Sequence, residues 1–132
     1  MEIIHLILGK ANPDRMNGVN KVVYQLATKQ AEFGEKVAVW GIVSDKEQNY
    51  GSRNFETRLF LKSSFPFFFS KELKEAILEK KGKAVFHRHG GWIPVYFLLA
   101  KLLYWHNIKF VITAHGAYNT IAMKKSSMMK AL

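Results

Sequence analysis

Glu2-Ile3-Ile4-His5-Leu6-Ile7-Leu8, followed by Gly9-Lys10-Ala11-Asn12-Pro13-Asp14-Arg15-Met16-Asn17-Gly18, is the stretch on which the fold of this chain turns. Residues 3–8 are apolar and largely branched, which suits a short strand buried on both faces rather than a helix. Two glycines, a proline and two asparagines then favour turns, so residues 9–18 read as a loop. From Val19 onward apolar residues recur at Val19, Val22, Val23, Leu26, Ala27 and Ala31, the spacing of one helix face, with Lys21, Gln25, Thr28, Lys29 and Glu32 opposite. Gly34 stops that helix. Val37, Val39, Trp40, Ile42 and Val43 restart strand spacing, which completes a βαβ unit. Its loop brings backbone N–H groups and a helix N-terminus to one point, a ready anion site.

The same alternation continues outward. Phe55, Thr57, Leu59 and Leu61 alternate as a third strand within residues 54–61. Ser70 is placed to cap a helix running through Lys80, with Leu73, Ala76 and Ile77 on one side. Residues 84–89 form a strand that enters the loop Gly90-Gly91-Trp92-Ile93-Pro94. Pro94 suits the first turn of a helix through Trp105 that is apolar nearly all round and should pack on two sides. Residues 108–113 form the next strand, and a further helix is expected over residues 121–132. Strands alternating with helices predict an α/β fold, a parallel sheet with helices on both faces. Ligands of such sheets bind at the carboxyl ends of the strands, which three loops share here: residues 9–18, 89–92 and 113–118.

Composition narrows the function classes. The 132 residues suffice for one domain or part of one, and 48% apolar content supports a globular core. The chain has no cysteine, which excludes disulfides and thiolate metal sites and makes the cell interior the default compartment. Residues 92–105, the longest apolar stretch, are interrupted by Pro94 and Lys101 and fall short of the roughly 20 residues that span a bilayer. Net charge is +10, but residues 1–79 hold 11 basic and 10 acidic side chains whereas residues 80–132 hold 9 basic and none acidic. Such polarity implies an anionic partner: lipid, polyphosphate or nucleic acid. Around Pro66 cluster Phe65, Phe67, Phe68 and Phe69, beside Lys71, Lys74, Lys80, Lys81 and Lys83. This is either a lid over the core or a loop that dips into a membrane surface.

Known signatures mostly fail. Gly9 and Gly18 are too far apart for the dinucleotide fingerprint, and no Gly-Lys-Ser/Thr opens the helix as in a P-loop. His87 and His89 share a strand face and with His115 could be imagined as metal ligands, but no carboxylate follows Glu79 to complete a site, so no metal is expected. More simply, one of the pair is buried and hydrogen-bonded while the other lines the cleft. The basic part also lacks the acid of a nucleophilic triad. No DNA- or RNA-reading motif is visible, so nucleic acid is not the expected partner.

Three segments together resemble the N-terminal, acceptor-side domain of a GT-B glycosyltransferase of the retaining family 4 type. Asn17-Gly18-Val19-Asn20-Lys21-Val22-Val23-Tyr24-Gln25-Leu26-Ala27 is similar to the family's glycine–glycine–valine helix start. His87-Arg88-His89-Gly90-Gly91-Trp92 is similar to its His-x-His-Gly-x-Trp loop, and Val111-Ile112-Thr113-Ala114-His115-Gly116 to its strand ending in His-Gly. Asn17 departs from the usual first glycine, a tolerable change because asparagine enters left-handed conformations more readily than most residues. The resemblance implies a Rossmann-like sheet and transfer of a sugar from a nucleotide-sugar, a substrate rather than a resident cofactor, to a glycan or lipid-linked acceptor. Cell-surface polysaccharide synthesis is the expected setting. It implies His115 as the catalytic residue that contacts the transferred sugar, and Gly18 near the donor diphosphate. Asn17, Val19 and Gly116 accompany them as substrate-binding residues, and His89, Gly90, Gly91 and Trp92 shape the acceptor pocket. The family's nucleotide-sugar domain is not within residues 1–132, so these read as a partial N-terminal domain, inactive alone, needing that second domain in cis. A cytoplasmic location follows, with peripheral attachment to an anionic inner membrane face. The alternative is a non-catalytic basic module of the same fold that binds anionic membranes or polyanions.

Overall fold

The computed structural model describes residues 1–12, 18–48, 50–62, 70–89 and 94–113. The apolar run at the N-terminus becomes the central strand β1 (Glu2–Leu8), which pairs in parallel with β2 (Val37–Val43) on one edge and β4 (Ala84–His89) on the other. β3 (Glu56–Leu61) extends the sheet beyond β2, and β5 (Phe110–Thr113) extends it beyond β4. All pairings are parallel and the order is β3-β2-β1-β4-β5. The chain therefore runs outward from β1 in one direction, returns, and runs outward in the other. Crossovers of one hand must then lie on opposite faces of the sheet in the two halves.

The packing has that form. Ile4 and Leu6 of β1 join Trp40, Phe60 and Phe86 on one face. That face is covered by Leu73, Ala76 and Ile77 of α2 (Lys71–Glu79) and by Leu99 and Leu103 of α3 (Pro94–Trp105). On the opposite face Ile7, Val37 and Val39 pack with Val23 and Ala27 of α1 (Gly18–Glu32). This is the expected α/β arrangement, Rossmann-like, with helices on both faces. Trp40 centres the first core, its ring 5.3 Å from Phe60 and 5.6 Å from Phe86 in tilted and edge-on contacts that favour aromatic pairs. The cap predicted at Ser70 forms: its Oγ accepts the Leu73 N–H at 3.2 Å, satisfying a donor the helix leaves open.

Local expectations are corrected in several places. Val22 is 43% exposed, and the buried stripe of α1 is Asn20, Val23 and Ala27, Asn20 being held there by its hydrogen bond from the Ala11 N–H. Leu61 lies outside although it continues the alternation, while Phe60 of the other parity is fully buried, because β3 is covered on the α2 side as well. The last turn of α3 is not packed all round, since Tyr104 and Trp105 are exposed. β5 begins at Phe110, and the preceding Ile108 is buried in the core without joining the strand. The phenylalanines at 65–69 and the helix expected over 121–132 lie outside the described residues. Among the described residues no helix is long and apolar enough to cross a membrane.

Candidate functional site

The strand order reverses between β1 and β4, and a crevice outside the carboxyl ends of the strands at such a reversal is where this class of sheet binds ligands. The described start of the loop after β1, residues 9–12, and the end of β4 at His89 lie at this end of the sheet. The β1 loop is built to fixed dimensions by close contact with its neighbours. Gly9 has a φ of 122° and donates its N–H to the Ile42 carbonyl at 3.1 Å. A Cβ at Gly9 would press on the Asn20 amide, and one at Gly41 would collide with the Gly9 carbonyl oxygen. Two glycines thus let the end of β1 lie against β2. Asn20, only 5% exposed, accepts the Ala11 N–H at 2.9 Å, which ties the loop to the first turn of α1.

Beside this loop lies a cavity of about 360 Å³ at the carboxyl ends of β1, β2 and β3. Lys10, Asn12, Asn20, Ser44, Asp45 and Lys62 supply its polar lining. Lys10 is 9% exposed, and its ammonium donates to Asp45 Oδ1 at 2.9 Å and to the Glu47 carbonyl. The pairing is what allows a cation at that depth. Donors and acceptors both face the space, the equipment for a hydroxyl-rich ligand.

On the α1 face of the sheet the register pairs His5 of β1 with His87 of β4, and His89 lies one pleat further along. Nitrogen atoms of the three rings lie within 4.8 Å of one another. His5 Nε2 meets Gln30 Oε1 at 2.7 Å, and His5 Nδ1 meets His89 Nε2 at 2.8 Å. An amide oxygen only accepts, so His5 donates from Nε2. Burial lowers the His5 pKa, partly opposed by the Gln30 bond, so the ring is neutral and accepts at Nδ1 from the His89 Nε2–H. His87 Nε2 is 2.6 Å from Thr113 Oγ1, which ties the end of β4 to the end of β5. The rings of His87 and His89 stack at 3.9 Å and 24°. The cluster as built is a hydrogen-bonded network.

Of the residues singled out in the sequence, Gly18 is the first residue of α1 and is exposed, with no atom of the described residues within 4 Å of where a Cβ would stand. Val19 packs, partly buried, against the α1 core. His89 is buried at 1% exposure and His87 is partly buried, so the division into one enclosed and one more accessible histidine takes this form. Asn17, Gly90, Gly91, Trp92, His115 and Gly116 lie outside the described residues. His5, Asn20 and Arg53 went unread as parts of this end of the sheet. For His5 the only sequence signal was a polar residue inside an apolar run, and its partners depend on inter-strand register.

A parallel sheet of this order, covered by helices on both faces, defines the class as a Rossmann-like α/β domain. The family model of Glycosyltransferase Family 4 matches residues 16–132. The chain belongs to that family and is a GT-B glycosyltransferase domain. No curated protein sequence matches it.

Proposed function

We propose that this domain is the acceptor-side half of a retaining glycosyltransferase, which moves a hexosyl group from a nucleotide-sugar to a glycan or lipid-linked acceptor of cell-surface polysaccharide at the inner membrane face. The observation that carries the proposal is the convergence, at one end of the sheet, of the N-terminus of α1 at Gly18, which no other described residue crowds, and a polar cavity lined in part by Asn20 of the same helix turn. A helix N-terminus complements a diphosphate leaving group. Stabilising that leaving group is the largest task in a reaction that separates it from an oxocarbenium-like sugar. The cavity lined by Lys10, Asn12, Asp45 and Lys62 suits the acceptor, whose hydroxyls need both donors and acceptors. On the family resemblance His115 contacts the transferred sugar, and a second Rossmann-like domain holds the nucleotide.

The test is turnover by the native protein that carries this domain, assayed against a panel of nucleotide-sugars. Transfer abolished by His115→Ala, with an unchanged melting transition, is the expected result. No transfer with any donor, together with binding to anionic vesicles that survives changes at Gly18 and His115, would replace this reading with a basic binding module.

A further inference from the structure

Arg53 lies in the connection between β2 and β3, remote in sequence from the β1 loop, yet its guanidinium is directed into it. Nη1 donates to the Lys10 carbonyl at 2.9 Å and to Thr57 Oγ1 at 3.1 Å, and Nη2 donates to the Ala11 carbonyl at 3.3 Å. Aromatic rings surround the group: its central carbon is 3.8 Å from the Tyr50 ring centroid, 5.0 Å from Phe55 and 5.6 Å from Tyr24 of α1. Tyr24 and Phe55 meet edge to face at 5.9 Å and brace each other. A planar cation held against aromatic faces and presenting two parallel donors is a rigid fork that lysine cannot imitate.

The backbone it grips is one that needs holding. Ala11 is fully buried with a φ of 52°, a left-handed conformation that a residue with a Cβ adopts at a cost. Its N–H is held by Asn20 from the α1 side and its carbonyl by Arg53 from the β3 side. Lys10 is fixed twice as well, through its carbonyl by Arg53 and through its ammonium by Asp45.

We propose that Arg53 is a positioning residue for sugar transfer: it sets the conformation of Lys10 and Ala11 in the segment that leaves β1 and borders the acceptor cavity, without touching either substrate. The inference rests on the transferase reading for its kinetic consequence, though not for its structural one. Loosening the loop leaves the ground-state contacts of the acceptor largely in place while misaligning the reacting groups, so the effect falls on kcat more than on KM.

The experiment uses the native protein with Arg53→Ala and Arg53→Lys, read by amide hydrogen exchange and by steady-state kinetics. In Arg53→Ala the Ala11 amide is expected to exchange at least about tenfold faster, while the amides of β1 and β2 keep their protection. The corresponding kcat falls roughly ten- to a hundredfold with KM changed by less than about threefold. Millimolar guanidinium partly restores it. Arg53→Lys keeps the charge and the fold, and is expected to show the same exchange defect and poor turnover, since a single ammonium cannot span both carbonyls. Wild-type exchange at Ala11 in both variants would overturn the proposal. So would a loss confined to KM. If the exchange defect appears but wild-type protein transfers no sugar, the loop clamp stands and the transferase reading falls.

Discussion

His5 interrupts an apolar strand with a titratable ring, and its surroundings decide what that ring can do. It faces Gln30 from α1 and His87 and His89 from β4, with no carboxylate among its bonded partners, so only the Gln30 hydrogen bond favours the imidazolium, and burial outweighs it. Its folded-state pKa is accordingly below the ordinary 6.5, chiefly through burial. The unfolded chain therefore binds more protons at this position than the folded one, over the interval below about pH 6.5. Stability contributed by neutral His5 is present above that pH and is lost as pH falls through the folded value. Urea midpoints measured between pH 7.5 and 5 should decline in the wild type, and His5→Asn should decline less steeply. Gly18 offers the reverse case, a residue whose type the described fold does not require. Gly18→Ala places a methyl where no atom of the described residues lies within 4 Å, so unfolding free energy should change by no more than about 0.5 kcal/mol. Turnover should nonetheless fall roughly tenfold or more if that space is where the donor diphosphate sits. Loss of activity in step with loss of stability would show that Gly18 serves the fold alone.

Helices and strands were legible here wherever one periodicity ruled. α2 is a clear example: Ser70, Leu73, Ala76 and Ile77 are spaced as cap and face, and all four serve as read. Ser70→Ala removes the acceptor for the Leu73 N–H and should cost about 1 kcal/mol, seen as a lower urea midpoint with an unchanged slope. A shift below a few tenths would mean that water replaces the cap at no loss. Legibility failed where burial came from both sides or from a polar partner. In β3, Thr57 and Leu59 suggested one inward face, but the strand also carries Phe60 into the opposite core. α1 buries Asn20 because that side chain is bonded to Ala11, and hydropathy periodicity has no means of rewarding a polar residue for a hydrogen bond made nine residues away.

At the scale of the molecule, the sequence located the carboxyl ends of the strands but not how that end of the sheet is built. Loops at strand carboxyl ends follow from alternating elements, so the placement of Gly18 and His89 could be anticipated from order alone. The network of Gln30, His5 and His89, and the fork from Arg53 to Lys10 and Ala11, depend on which strands adjoin and in what register, and parallel pairing leaves no local trace of that. Charge is the one global property read without any register. The excess of basic over acidic residues totals ten and falls almost wholly after residue 79. Attachment to an anionic membrane face should then be electrostatic, with a sign and a salt dependence that differ from apolar insertion. Wild-type protein should sediment with vesicles containing phosphatidylserine and not with purely zwitterionic ones. Raising ionic strength from about 0.1 to 1 M should release it, because the screening length shrinks from about 10 to 3 Å. Binding that persists in high salt, or that is equal on both vesicle types, would instead assign attachment to the phenylalanines at 65–69 and leave the basic half for the sugar nucleotide or its acceptor.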